Sequence, residues 1–194
     1  RQDALVIIDL PAGSYENSPQ QALASARRVL DETGADGVKL EGGSDIAGHV
    51  ALLAESGIAV LAHIGLLPQH VSSKSGFRIT GRTVEEAAQL AADASALSQA
   101  GVFGVVMEGI IEPVAASIAA HCTVPTIGIG ASPSCDGQIL VTEDILGLYD
   151  AFTPKFVEKF ADLQNDIGVA AAAFHKAVVS GTFPQKQHLF WPKK

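Results

Sequence analysis

The chain has 194 residues, enough for one sizeable core, and 47% of them are apolar with a mean hydropathy of +0.27, which excludes a disordered polypeptide. A formal net charge of −8 and a pI near 5.1 argue against the basic face that nucleic-acid binding requires. No apolar run reaches the roughly 18 residues of a membrane helix; the most apolar late stretch, GVAAAAFHKAVV, is broken by His175 and Lys176.

In chain order, ALVIID (4–9) reads as a short strand ending in Asp9, and no signal peptide is expected. An amphipathic helix is expected from Pro19 to Glu32, closed by Gly34, then strand GVKLEGG and helix DIAGHVALLAES. Strand IAVLAHIG (58–65), a loop rich in Ser, Lys and Gly, and an Ala-rich helix over 83–101 follow. Strand VFGVVME (102–108) leads to helix EPVAASIAAHC (112–122), and strand VPTIGIG (124–130) to loop ASPSCDGQ. A helical piece near TEDILGL, a last strand KFVEKF and a terminal helix over about 165–180 complete the reading. No linker or seam interrupts 1–194, so one domain is expected. Cys122 and Cys135 have no metal or redox spacing and read as reduced thiols of a cytoplasmic protein.

Alternating strands and helices with near-continuous apolar strands imply a parallel α/β sheet covered by helices. Both an open doubly wound sheet and a (β/α)8 TIM barrel meet that description. Asp9, Lys39 with Glu41, His63, Glu108 and the Gly128–Gly130 turn each stand at the C-terminal end of a different strand. A barrel gathers those ends into one ring, whereas an open sheet spreads them along an edge, so the barrel is favoured. A barrel takes about 250 residues, so one or two N-terminal βα units are expected to be missing. In a strand, Lys39 and Glu41 point to the same face. They mark either a ligand-binding mouth, which the other polar strand ends favour, or a structural ion pair. The glycines of IGIGAS lack the third glycine of a dinucleotide fingerprint; they either admit a ligand close to the backbone or turn the chain.

The motifs IIDLP, GADGVKLEGG, AHIGLLPQ, GFRITGR, VPTIGIGA with CDGQILV, and PKF, in that order, resemble those of the ketopantoate hydroxymethyltransferase family (3-methyl-2-oxobutanoate hydroxymethyltransferases). The resemblance runs from about Ile7 to Phe190. It implies a (β/α)8 barrel that forms ketopantoate, a pantothenate precursor, from 3-methyl-2-oxobutanoate and 5,10-methylenetetrahydrofolate as co-substrate, through a magnesium-stabilised enolate. By resemblance Asp9 binds metal and substrate, Glu41 belongs to the magnesium site, Lys39 contacts the keto acid and Glu108 is the general base. Oxygen ligands suit magnesium, and a buried glutamate suits proton abstraction. His63 falls where the family has a histidine, and is either a substrate-pocket or a structural residue. Lys74, Arg78 and Arg82 either attract the acidic folate tail or line a solvated loop. The family also implies a homo-oligomer, commonly a decamer; HLFWP fits either an interface or a tail packed on its own barrel.

The chain departs from the family pattern at Gly109, at Ala62 and Leu67, and at Ser132, all expected to border the pocket. An upstream segment bearing the first metal aspartate is expected to precede Arg1. Two other readings stand beside the transferase. One is a related metal-dependent 2-oxo acid C–C bond lyase; the other is a non-catalytic paralogue serving as an assembly subunit.

Overall fold

The structure, a computed structural model, describes residues 4–71, 78–149 and 152–192. The chain divides into two compact units, Arg1–Ile139 and Leu140–Lys194. The first holds β1 (Ile7–Asp9), α1 (Pro19–Thr33), β2 (Gly37–Glu41), α2 (Ala47–Glu55), β3 (Ala59–Gly65), α3 (Val84–Ala100), β4 (Gly104–Glu108), α4 (Glu112–His121), β5 (Thr126–Ile129) and β6 (Gly137–Gln138). The second holds α5 (Thr142–Leu146) and α6 (Leu163–Val179).

Helix boundaries follow local chemistry. The Ser18 hydroxyl accepts from Gln21 N–H ahead of Pro19, and Gly34 closes α1 in the left-handed region. Thr83 caps α3 in the same way, with Glu85 and Glu86 in the first turn where the helix dipole favours negative charge.

The six strands are all parallel and hydrogen-bond in sequence order, β1 to β6. That order has no reversal point. With right-handed crossovers, every connecting helix therefore falls on one face of the sheet. This is the winding of a TIM-barrel-like fold rather than of a doubly wound sheet.

Side-chain alternation then divides each strand between two faces. Val38, Leu40, Val60, Ala62, Ile64, Val105 and Met107 form one core with Leu53 of α2 and Leu90 and Leu97 of α3. Each fully buried leucine in that layer stabilises by about 1.5–3 kcal/mol. The intervening residues, among them Asp9, Lys39, Glu41, His63 and Glu108, take the opposite, inner face.

Two sequence expectations are corrected. KFVEKF is no strand: it lies in a turn closed by Val157 N–H to the Pro154 carbonyl, and Phe160 N–H donates to the Ile145 carbonyl. Phe156 and Val157, adjacent in sequence, are both half-buried, so the period-2 pattern of a one-faced strand is absent. The sixth strand instead lies inside the expected loop, at Gly137–Gln138, paired with Ile127 and Gly128. Asp136, just ahead of it, accepts from Thr126 N–H at 2.8 Å and from Thr126 Oγ1 at 2.9 Å. In the second unit α6 buries no residue, and Phe190 and Trp191 are exposed. Among the described residues no helix is long and apolar enough to cross a membrane.

Candidate functional site

The polar residues at the strand ends meet because the register places them on neighbouring rungs. Asp9 pairs with Lys39, Glu41 with His63, and Gly65 with Glu108. Lys39 Nζ lies 2.7 Å from Asp9 Oδ2 and 3.8 Å from Glu41 Oε1. His63 Nδ1 is 3.8 Å from Glu41 Oε1, and His63 Nε2 is 3.3 Å from Glu108 Oε2. Asp9, Lys39, Glu41, His63 and Glu108 thus form one continuous polar row across β1 to β4. The closer partner of Lys39 is Asp9 on the adjacent strand, not Glu41 on its own.

Glu41 and His63 are 2% and 3% exposed, whereas the Asp9 side chain keeps 46% of its surface. The row is therefore closed at its centre and open at the β1 end. It carries three carboxylates against one ammonium, an excess of negative charge that favours a cation. Both His63 ring nitrogens, and the Gln69 side-chain oxygen, are buried without a hydrogen-bond partner. Buried polar atoms are normally paired, so these three atoms are unmet hydrogen-bonding capacity at the centre of the site.

Gly65 sets the spacing of β3 and β4 at this end. Its φ is +95°, and a β-carbon there would run into the Glu108 carbonyl oxygen and stand 2.7 Å from Ile110 Cγ1. Only glycine lets the chain turn this close to Glu108. The following Leu66 N–H then donates to the Glu108 carbonyl at 2.8 Å. Thr80 N–H donates to the Gly109 carbonyl at 2.8 Å, which brings Thr80 to the same rim.

Two residues that sequence reasoning left without a role belong to the site. Tyr15, fully buried, donates from its hydroxyl to the Glu41 carbonyl at 3.0 Å and accepts from Glu41 N–H at 3.1 Å. Burial pushes its phenol up to about 12, with the Glu41 backbone contact acting in the opposite sense, so the hydroxyl keeps its proton at neutral pH. Gln69 N–H donates to Glu41 Oε2 at 3.1 Å, and Gln69 Nε2 donates to the Leu10 carbonyl at 3.2 Å. The only sequence signal for Gln69 was its place in AHIGLLPQ; Tyr15, alone in a loop, gave none.

Other expected contributors fall elsewhere. Ala62 is fully buried in the helix-facing core, not on the pocket side. Arg78 is ion-paired with Glu86, which also accepts from Arg82 N–H at 2.7 Å. Lys74 lies outside the described residues. Gly128 makes room for a side chain of this chain: a β-carbon there would stand 2.7 Å from Gln138 Oε1 and 3.1 Å from Cys135 Sγ. Ser132 is buried, with Oγ 3.2 Å from Glu112 Oε1 and accepting from Ser134 N–H at 3.1 Å, and so organises its own loop.

Among the described residues no three His, Cys, Asp or Glu side chains are grouped to hold a metal ion. Asp9 and Glu41 nevertheless supply two hard-oxygen donors on adjacent strands. Magnesium is commonly held by one or two carboxylates with waters and substrate completing its shell, and the pair fits that pattern.

Residues 1–186 match the family model described as ketopantoate hydroxymethyltransferase. The chain belongs to this family. It is 54% identical over 187 residues to the 3-methyl-2-oxobutanoate hydroxymethyltransferase of Mesorhizobium japonicum, covering 96% of this chain and 65% of that protein. It is 50% identical over 193 residues to the enzyme of that name from Rhizobium rhizogenes, covering 100% of this chain and 71% of the relative. The Brucella canis protein of the same name is 50% identical over 190 residues, covering 98% of this chain and 69% of its own length. The chain thus spans about two thirds of the length of these family members.

Proposed function

We propose that the protein transfers a hydroxymethyl group from 5,10-methylenetetrahydrofolate to 3-methyl-2-oxobutanoate, forming ketopantoate for pantothenate biosynthesis. The observation that carries this reading is the unbroken row Asp9, Lys39, Glu41, His63, Glu108 on one face of a chain of this family. The six-strand winding is read as part of a (β/α)8 barrel, and the protein as a cytoplasmic homo-oligomer.

Glu108 is the base. Its carboxylate removes the C3 proton of the oxo acid, and the C–H electrons form the enolate. Lys39, held beside Asp9, offsets the negative charge of the substrate carboxylate and of the developing enolate. His63, buried between Glu41 and Glu108 with Nε2 facing the base, orients Glu108. A magnesium ion held by Asp9 and Glu41 would supply Lewis-acid polarisation of the keto group. The enolate carbon then attacks the methylene carbon of the folate in its iminium form, and water releases the hydroxymethyl product.

The test is product formation. With both substrates and magnesium, the full-length protein is expected to yield ketopantoate and tetrahydrofolate in equal amounts, followed by NMR. Consumption of neither substrate would rule the reading out.

A further inference from the structure

We propose that Tyr15 is the positioning residue that fixes Glu41 in the site, by taking over the strand pairing that β1 abandons. This rests on the hydroxymethyltransferase reading given above and adds a residue to it.

The backbone pattern makes the case. Leu10 N–H donates to the Lys39 carbonyl at 3.0 Å, so the peptide groups of Lys39 face β1. Residues two apart in a strand direct their N–H and C=O groups to the same side. Glu41 therefore also directs both of its groups toward β1. There β1 has ended at Asp9, and the Leu10 carbonyl, which the Glu41 N–H would otherwise reach, accepts from Gln69 Nε2 at 3.2 Å instead. On the other side the ladder continues normally, with Gly42 N–H donating to the His63 carbonyl at 3.1 Å.

Tyr15 reaches back from the loop after β1 and fills the gap with one atom. A hydroxyl is both donor and acceptor, and this one serves the Glu41 carbonyl and N–H together. No apolar side chain of similar shape can do so; phenylalanine would leave two buried peptide groups unpaired at the residue whose side chain is to hold the ion. Gln69 completes the closure by binding Glu41 Oε2 and the Leu10 carbonyl. Glu41 is thus held at its main chain by Tyr15 and at its carboxylate by Gln69, which orients a ligand before any ion arrives.

The experiment compares the full-length wild type with Tyr15→Phe, using Mn2+ alone as the probe in a paramagnetic-resonance titration. Amide hydrogen exchange over residues 37–43 gives a metal-independent readout. The role predicts about 10- to 100-fold weaker Mn2+ binding in the variant, and faster exchange at the Glu41 amide. A variant that melts earlier yet binds Mn2+ like wild type overturns it, since Tyr15 is then only a packing residue. If wild type itself takes up no Mn2+ while exchange at Glu41 still rises in the variant, the metal reading of the site has failed and the proposed role falls with it. Should Tyr15→Phe not fold, 4-aminophenylalanine at position 15, which retains a donor, takes its place. Tighter Mn2+ binding in that variant than in wild type also overturns the proposal.

Discussion

His63 Nε2 stands 3.3 Å from Glu108 Oε2, and the ring's other nitrogen faces Glu41 at 3.8 Å. One imidazole thus separates the glutamate read as the base from the glutamate read as a metal ligand. The register decides this, since His63 lies opposite Glu41 on β2, and Glu108 lies two residues further along the β3–β4 pairing, opposite Gly65. Replacing the ring by a smaller group removes the spacer between the two carboxylates. His63→Asn is expected to lower kcat on the order of 10²-fold, the cost of losing a near-attack geometry, with a smaller change in folate KM. Steady-state kinetics on both substrates checks the split.

Gly65 is the position where the backbone tolerates least. Gly65→Ala would force a methyl group against the Glu108 carbonyl at a φ of +95°. The chain must then shift at β4, where Glu108, the residue proposed as base, is seated. The expected result is a clear loss of thermal stability together with loss of activity, read by a melting curve and an initial-rate assay on the same sample. An alanine variant with wild-type stability and rate would show that the two strand ends are not in tight contact.

A core change on the helix side separates fold from site. Leu53 of α2 is fully buried in the layer that excludes Glu41 and His63. Leu53→Ala is expected to cost about 2–5 kcal/mol of unfolding free energy in urea. Because the cavity opens on the far face of the sheet, kcat of the folded fraction should stay near that of wild type.

Asp136 gives a pH signature. The Thr126 N–H and then its hydroxyl donate to this carboxylate and hold it below its ordinary range. A depressed folded-state value means the stabilisation is fully present above the unfolded value, about 3.9, and is lost as pH falls through the folded one. The melting-temperature gap between wild type and Asp136→Ala should therefore be steady from about pH 5 to 8 and close below about pH 4. A gap that widened on acidification would contradict the assignment.

The sequence made the alternating winding and most residues of the polar row legible, for reasons that can be named. Lys39 and Glu41 were readable because charged residues two apart in an apolar run must share a face. Asp9, His63 and Glu108 were readable because each interrupts an apolar strand at its C-terminal end. Tyr15 was hidden: it acts on the backbone of a residue 26 positions away, through a loop with no periodicity. The two-residue strand Gly137–Gln138 was too short for an alternation to exist. KFVEKF misled in the opposite sense, since its composition suits a strand while the chain there is committed to a turn. Ala62 looked like a pocket residue because it precedes His63 in a motif, but neighbouring strand residues face opposite ways.

The central claim is that Glu108, at the end of this polar row, takes the C3 proton of a 2-oxo acid. Deuterium uptake at C3 of 3-methyl-2-oxobutanoate, followed by NMR in D2O with magnesium and no folate, tests it without the second substrate. The full-length wild type is expected to catalyse the exchange, and Glu108→Gln to slow it by about 10²- to 10⁴-fold. Exchange at the wild-type rate in Glu108→Gln would contradict the account.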